Sequence, residues 1–404
     1  MHAPSPVLVD KLPSHVLRVM ALRKDNRNLQ ERRFGMKKII ACVMFTLVAA
    51  QAAWAQDVVI GQSVALSGPN ADIGRDMRDG ALAVFAKVNA TNALGHKVQL
   101  VTLDNANNRQ RAGENTQQLL GQHGALVLFG YNSATNSIDA LPLVAQANML
   151  FFAPFSGSTS LRSSPNVFTI RASYKDEATK IVEAKRVVGS TKAVILHYDD
   201  EVGRGNYEAA ASAFTDASLP KPKGVAVKRG APVDAASVDA ILKEAPHYVL
   251  ATTQYSAVSD FLKIAGDKGS QTPVAALSFV NPDELAESVG ALARGTVVAQ
   301  VIPSPRPSNQ VSVPLVKDCA ELLNALNGAK LNYTSLESCI AAKTLVLALK
   351  KAGPKPTREG ILQAMGSLGR VDLNGYALNY SPTSHHGSTW VELTILSRGN
   401  RFVQ

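Results

Sequence analysis

The residues best suited to chemistry sit where short apolar runs end. Ser67-Gly68-Pro69-Asn70, Asp104-Asn105, Tyr131-Asn132-Ser133 and Phe155-Ser156-Gly157-Ser158 close four such runs. Tyr198-Asp199-Asp200, Thr252-Thr253-Gln254-Tyr255 and Ser278-Phe279-Val280-Asn281 close three more in a second series. Hydroxyls, amides and oriented N–H groups of this kind hold a small anion or polar molecule. Taken singly, each cluster reads as ordinary helix capping by Ser, Thr, Asn or Asp. Two series of polar ends, able to face each other across one cleft, argue for a binding site. Motifs for turnover are missing: no G-x-x-x-x-G-K-[ST], G-x-S-x-G or H-E-x-x-H occurs, and Gly203-Arg204-Gly205 lacks the third glycine of a dinucleotide loop. An exported α/β hydrolase would need a nucleophile beside a base, and no Ser/His or Cys/His pair has that context. His385-His386 would point to opposite faces of a strand, so this pair is expected in an exposed turn and not on a metal. Neither a cofactor nor a metal is expected, and no catalytic residue is assigned.

The elements that must position these clusters alternate strand with helix. In the first series the strands are 58–66, 98–103, 125–130 and 149–153, and the helices 72–88, 110–120 and 138–147. The second series reads strand 167–171, helix 177–188, strand 193–197, helix 204–214, strand 225–228, helix 235–244, strand 248–252, helix 257–266, strand 274–279, helix 283–288 and strand 296–301. Near-continuous apolar strands alternating with helices predict α/β architecture, with parallel sheets covered on both faces. Two series predict two doubly wound, Rossmann-like lobes, whose ligands sit beyond the carboxyl ends of the strands. Pro303-Ser304-Pro305-Arg306-Pro307 reads as a linker, followed by helices 311–326, 336–350 and 358–365. The pattern then switches to period two, and 389–396 reads as a strand crossing back to the other sheet.

Residues 36–55 have the form of a signal peptide: the basic head Met36-Lys37-Lys38, an uncharged run from Ile39 to Ala50, and an Ala-x-Ala step that places cleavage after Ala55. The run is shorter than the roughly 20 apolar residues a bilayer span needs. Residues 1–35 read as an over-long extension ahead of Met36, the better start. The whole chain carries 42 Lys and Arg against 32 Asp and Glu. Residues 1–55 hold nine of the basic and three of the acidic residues, so beyond them the net charge drops from +10 to +4. That removes the basic face a nucleic-acid binder would keep. Cys319 and Cys339 permit one disulfide in an oxidising compartment, or two separately buried thiols.

Ile60-Gly61-Gln62-Ser63-Val64-Ala65-Leu66-Ser67-Gly68-Pro69 with Gly74 and Gly80, then Asp199 to Gly205, then Ser335 to Lys343 with Ala348-Leu349 and Ala352-Gly353, come in a familiar order. Over about residues 57–404 the chain resembles type I periplasmic binding proteins of the leucine/isoleucine/valine-binding family, which feed ABC importers. The resemblance implies two lobes joined by three crossings and closing over a ligand by hinge motion. Lobe 1 would comprise 57–173 with 303–388, and lobe 2 174–302 with 389–404. It implies a monomer in the periplasm, serving a membrane ABC permease or, alternatively, acting as a ligand sensor for a membrane partner. First-lobe contacts would come from Ser133, Thr135, Phe155, Ser156, Gly157 and Ser158, and second-lobe contacts from Tyr174, Gln254 and Phe279. The first-loop aromatic of the family falls on Ile73, and Phe279 stands where amino-acid binders place an acid for the ligand's ammonium. A buried ammonium without a carboxylate is costly. A carboxylate lacking the amine, against Phe155, Phe279, Tyr131 and Tyr174, fits this departure; Asp199, Asp200 or Asp283 would restore an amino-acid ligand.

Overall fold

The computed structural model describes residues 57–68, 70–397 and 402–403; the expected extension, signal peptide and cleavage site lie outside them. The chain begins with β1 (Val58–Val64), α1 (Ala71–Ala90), β2 (Val98–Asp104), α2 (Arg109–Gly121) and β3 (Val127–Phe129). Short helical turns then lead to β4 (Leu150–Phe152) and β5 (Val167–Phe168). The second series is α3 (Tyr174–Val187), β6 (Ala193–Tyr198), α4 (Glu201–Asp216), β7 (Lys223–Val227), α5 (Ala235–Lys243), β8 (Tyr248–Ala251), α6 (Tyr255–Asp267), β9 (Val274–Ala276), α7 (Pro282–Val289) and β10 (Val297–Gln300). The tail adds α8 (Pro314–Asn327), α9 (Tyr333–Ala352), α10 (Arg358–Gly366), the hairpin β11 (Gly369–Asp372) and β12 (Ala377–Tyr380), then β13 (Glu392–Leu396) and β14 (Phe402–Val403).

One sheet runs β2-β1-β3-β4-β5, all parallel. The other runs β14-β13-β10-β9-β8-β6-β7, parallel except for the antiparallel edge that β13 adds to β10 and β14 to β13. Each sheet packs its own cores. Val58, Phe129 and Phe152 of the first bury against Ile340 and Leu345 of α9, and Val194, Val249 and Val274 of the second against Val258 and Phe261 of α6. Close backbone approach joins α1 to α9: a Cβ on Gly80 would stand 2.3 Å from the Ser335 carbonyl oxygen. The Cys319–Cys339 disulfide, left open by the sequence, ties α8 to α9 with an S–S distance of 2.05 Å.

Several elements depart from expectation for identifiable reasons. The helix expected over 138–147 is broken into helical, 3-10 and helical pieces, with Pro142 at the start of the last. The helix expected from 311 is interrupted at Val313, which is extended ahead of Pro314. The strand expected over 167–171 keeps only Val167–Phe168, because Thr169 leaves the sheet to pair with His386. The strand expected to reach Phe279 stops at Ala276, where the chain folds over, the Val280 N–H donating to the Leu277 carbonyl at 3.0 Å. Helices α3 and α4 begin earlier than expected because Ser173, in a reciprocal capping box with Asp176, and Asp200 cap them.

The chain passes between the two cores three times, near 170–173, 300–304 and 386–391. The segment read as a linker is the second passage, and 301–305 are buried, not loose. Tyr376 binds all three. Its hydroxyl lies 3.1 Å from the Ile170 carbonyl and 2.8 Å from that of Val301, and its ring meets Trp390 edge-on at 6.2 Å. The histidine pair belongs to the third passage and not to an exposed turn. His385 stacks on Phe168 at 4.0 Å, and His386 sits 3.3 Å from the Thr169 hydroxyl. Burial, then the charge of Arg162, lowers the His386 pKa to about 4, which keeps it neutral.

Candidate functional site

The carboxyl ends of both sheets border one cleft, whose main cavity measures about 540 Å³ including open solvent. The first wall is built by the turns after β3 and β4. Ala153, the last residue before the β4 turn, holds a left-handed φ of 52° ahead of Pro154, a strained geometry of about 1–3 kcal/mol that turns Phe155 towards the cleft. Asn132, Ser133, Thr135, Phe155 and Ser156 line this wall, with Ile73 from α1. Ile73 and Phe155 share an apolar cluster with Val64 and Met77. The polar groups here are bound to one another. Asn105 and Asn136 both donate to the Asn132 Oδ1, at 3.0 and 3.3 Å, the Ser133 Oγ accepts from the Asn136 N–H at 3.1 Å, and Ser156 donates to the Tyr174 hydroxyl at 3.1 Å. One donor is left over: the Asn132 Nδ2 is buried and has no protein partner.

The second wall comes from the ends of β6, β7, β8 and β9. Val202 and Asn206 of α4, Arg229 after β7, Thr252, Gln254 and Tyr255 after β8, and Phe279 after β9 line it, and Tyr174 at the start of α3 closes the hinge side. Tyr174 packs on Phe279 with ring centroids 5.3 Å apart. Glu177, one turn along α3, accepts from the N–H and hydroxyl of Ser278 at 2.6 and 2.9 Å and so fixes the turn carrying Phe279. Burial, partly offset by the cation of Arg171, raises the Glu177 pKa to about 7. A smaller adjoining cavity continues past Ile73, Phe155 and Phe279 to Glu337. There Arg171, 1% exposed, donates to both Glu337 oxygens at 2.8 and 2.7 Å and lies 4.3 Å from the Phe155 ring.

Of the expected contact residues, Ile73, Ser133, Thr135, Phe155, Ser156, Tyr174, Gln254 and Phe279 stand on this cavity, and Tyr131, Gly157 and Ser158 do not. Tyr131 is a correction. It points to the opposite side of the chain from Asn132, into the core beside Phe151, and its hydroxyl is 2.9 Å from that of Thr116. Gly157 serves by lacking a side chain: a Cβ there would lie 2.8 Å from the Tyr174 N and 2.9 Å from the Ala172 carbonyl, so the first passage could not come so close. The Ser158 hydroxyl pairs with Ser160 at 3.0 Å. Asp199, Asp200 and Asp283 are absent from the lining of the main cavity. Sequence reasoning passed over Arg229 and Asn206. Arg229 was detectable, since Lys228-Arg229-Gly230 ends a strand of the second series, where ligands gather.

With this geometry in place, comparison with known proteins is informative. A family model described as periplasmic binding protein matches residues 57–397. The chain belongs to the type I periplasmic binding protein family. Family membership implies a periplasmic location, and the relatives are solute-binding proteins. A curated binding-protein relative, an amino acid binding protein of Pseudomonas aeruginosa, is 24% identical over 182 residues, 44% of this chain and 49% of that one. The chain thus spans about half the length of the curated relative it matches. Among solved structures of the same binding-protein fold, a possible leucine/isoleucine/valine-binding protein from Rhodopirellula baltica is 26% identical, with 87% of this chain and 97% of that one covered at a TM-score of 0.81. A solute binding protein from R. palustris in complex with 4-hydroxybenzoate is 17% identical, with 86% and 95% covered at a TM-score of 0.75.

Proposed function

We propose that this is the periplasmic solute-binding protein of an ABC importer, capturing a small carboxylate that lacks an α-amine by closure of the two lobes. One observation carries the reading: among the described residues lining the main cavity there is no Asp or Glu, and the ionic side chain present is a cation, Arg229. An ammonium enclosed there would have no free carboxylate partner, because Asp200 is held by Arg229 and Glu337 of the adjoining cavity by Arg171, at a cost of several kcal/mol, whereas a carboxylate meets hydroxyls, amides and a guanidinium. Phe155, Phe279 and Tyr174 give the middle of the ligand an apolar, partly aromatic setting. That relatives of this fold include proteins named for an amino acid and for 4-hydroxybenzoate leaves the lining to decide. The protein would be exported by residues 36–55, act as a monomer, and deliver its ligand to a membrane permease. Calorimetric titration with leucine, 4-methylpentanoate and 4-hydroxybenzoate tests the reading. At least one amine-free acid is expected to bind tenfold or more tighter than leucine, about 1.4 kcal/mol. Tight binding confined to leucine or another amino acid would overturn it.

A further inference from the structure

Arg229, the cation among the described residues lining the main cavity, is held in a way that the fold does not require. Arg229 follows the edge strand β7 and donates through Nε and Nη2 to Asp200, at 2.5 and 3.1 Å. Its guanidinium lies flat over the Tyr198 ring, 3.9 Å from the centroid. Asp200 is fixed in turn by the Gly203 N–H at 2.7 Å, as the cap of α4. One edge and one face of the guanidinium are therefore occupied, and Nη1 makes no hydrogen bond among the described residues. A partly exposed ion pair contributes little to stability, yet this one is clamped three ways and placed on the cavity wall. Asn206 lines the same cavity, is 5% exposed, and has a buried Oδ1 without a partner. A buried amide with no protein partner points to a ligand that pairs it, and amide oxygen and nitrogen exchange by a simple flip. The opposite wall offers the same signal, the partnerless Asn132 Nδ2. Between these polar ends the lining is apolar: Ile73, Phe155, Val202 and Phe279.

We propose that the ligand is a small dicarboxylate, one carboxylate facing Asn132 and the hydroxyls of the first wall and the other docking on Arg229 and the Asn206 amide. A planar carboxylate matches the guanidinium fork, which a hydroxyl or an apolar tail would leave unsatisfied as the cleft closes. Arg229 is thus the specificity-determining residue of the second wall. The inference rests on the carboxylate reading above and narrows it.

The test compares acids of one skeleton, butyrate with succinate, pentanoate with glutarate and benzoate with terephthalate, by calorimetry on the wild-type protein and on Arg229→Gln. In at least one pair the diacid should bind about tenfold or more tighter. Arg229→Gln should abolish that advantage, weakening the diacid about tenfold more than the monoacid of the same skeleton. Asn206→Asp, which leaves the Asp200–Arg229 clamp intact, should weaken the diacid through repulsion and spare the monoacid. Monoacids binding as tightly as diacids in every pair, or Arg229→Gln weakening both alike, would overturn the diacid inference and leave the carboxylate reading standing. Failure of every acid to bind would overturn both.

Discussion

The two walls of the cleft are built from similar residue types and organised differently. On the first, Asn105, Asn132, Asn136, Ser133 and Ser156 are joined in hydrogen bonds before any ligand arrives. On the second, the side chains of Asn206, Gln254 and Tyr255 have no such bonds among the described residues, and Arg229 presents an unpaired edge. The first wall is a preformed seat, anchored by the disulfide and by the Arg171–Glu337 pair at its hinge side. The second gains its partners when a ligand is enclosed. In a two-lobed binder this division assigns initial capture to the first lobe and selection to the second, whose unsatisfied groups favour closure only over the ligand that pairs them.

Breaking the seat should have the largest effect. Glu337→Ala leaves the buried Arg171 cation unpaired and should cost about 3–5 kcal/mol in urea unfolding, while an Arg171→Met, Glu337→Leu double substitution should cost much less. Reduction of Cys319–Cys339, which closes a segment of 20 residues, should lower stability by about 3 kcal/mol with the affinity of the folded protein little changed. The contact between walls should respond to pH. Burial and the like charges of Asp72 and Asp76 raise the pKa of the half-buried Glu284 to about 7. Asp72 and Asp76 belong to α1 of the first lobe, and Glu284 to α7 of the second. If opening the lobes restores Glu284 to its ordinary range, the closed form binds more protons between about pH 4.5 and 7 and is favoured as pH falls. Affinity for a fully ionised acid should then drop about threefold from pH 6 to pH 8, solvent screening reducing the full shift, and Glu284→Gln should flatten that slope. The smallest change in stability is expected at the second wall. Asn206→Ala removes an unsatisfied group and should alter unfolding by under about 0.5 kcal/mol, while lowering diacid affinity. A large loss of stability there would show that the second wall is also load-sharing and would erase the contrast.

Much of the fold was readable from apolar periodicity, because parallel strands buried on both faces leave a strong pattern. What escaped was local chemistry acting over distance. Pro142 and Pro314 break helices whose periodicity runs straight through them. The burial of 301–305 and the partial burial of His385-His386 depend on passages packing together from distant parts of the sequence, as in the contacts of Tyr376 with Val301 and, 206 residues away, with Ile170. At the site, strand ends located both walls, but a parity error of one residue put Tyr131 in the cleft in place of Asn132. The need for glycine at 157, where a Cβ would crowd Tyr174 and Ala172, was likewise not legible in the sequence. Arg229 was not among the candidates because no polar cluster closes the strand read over 225–228; its orientation comes from Asp200 and Tyr198, a strand and more away.

The cleft is proposed to hold an acid without an amine. Mass spectrometry of the small molecule released on denaturing protein purified without added ligand tests it most directly. The expected compound carries one or two carboxyl groups and no amine and, if it is a diacid, is absent from protein carrying Arg229→Gln. Recovery of leucine, isoleucine or valine in stoichiometric amount would contradict it.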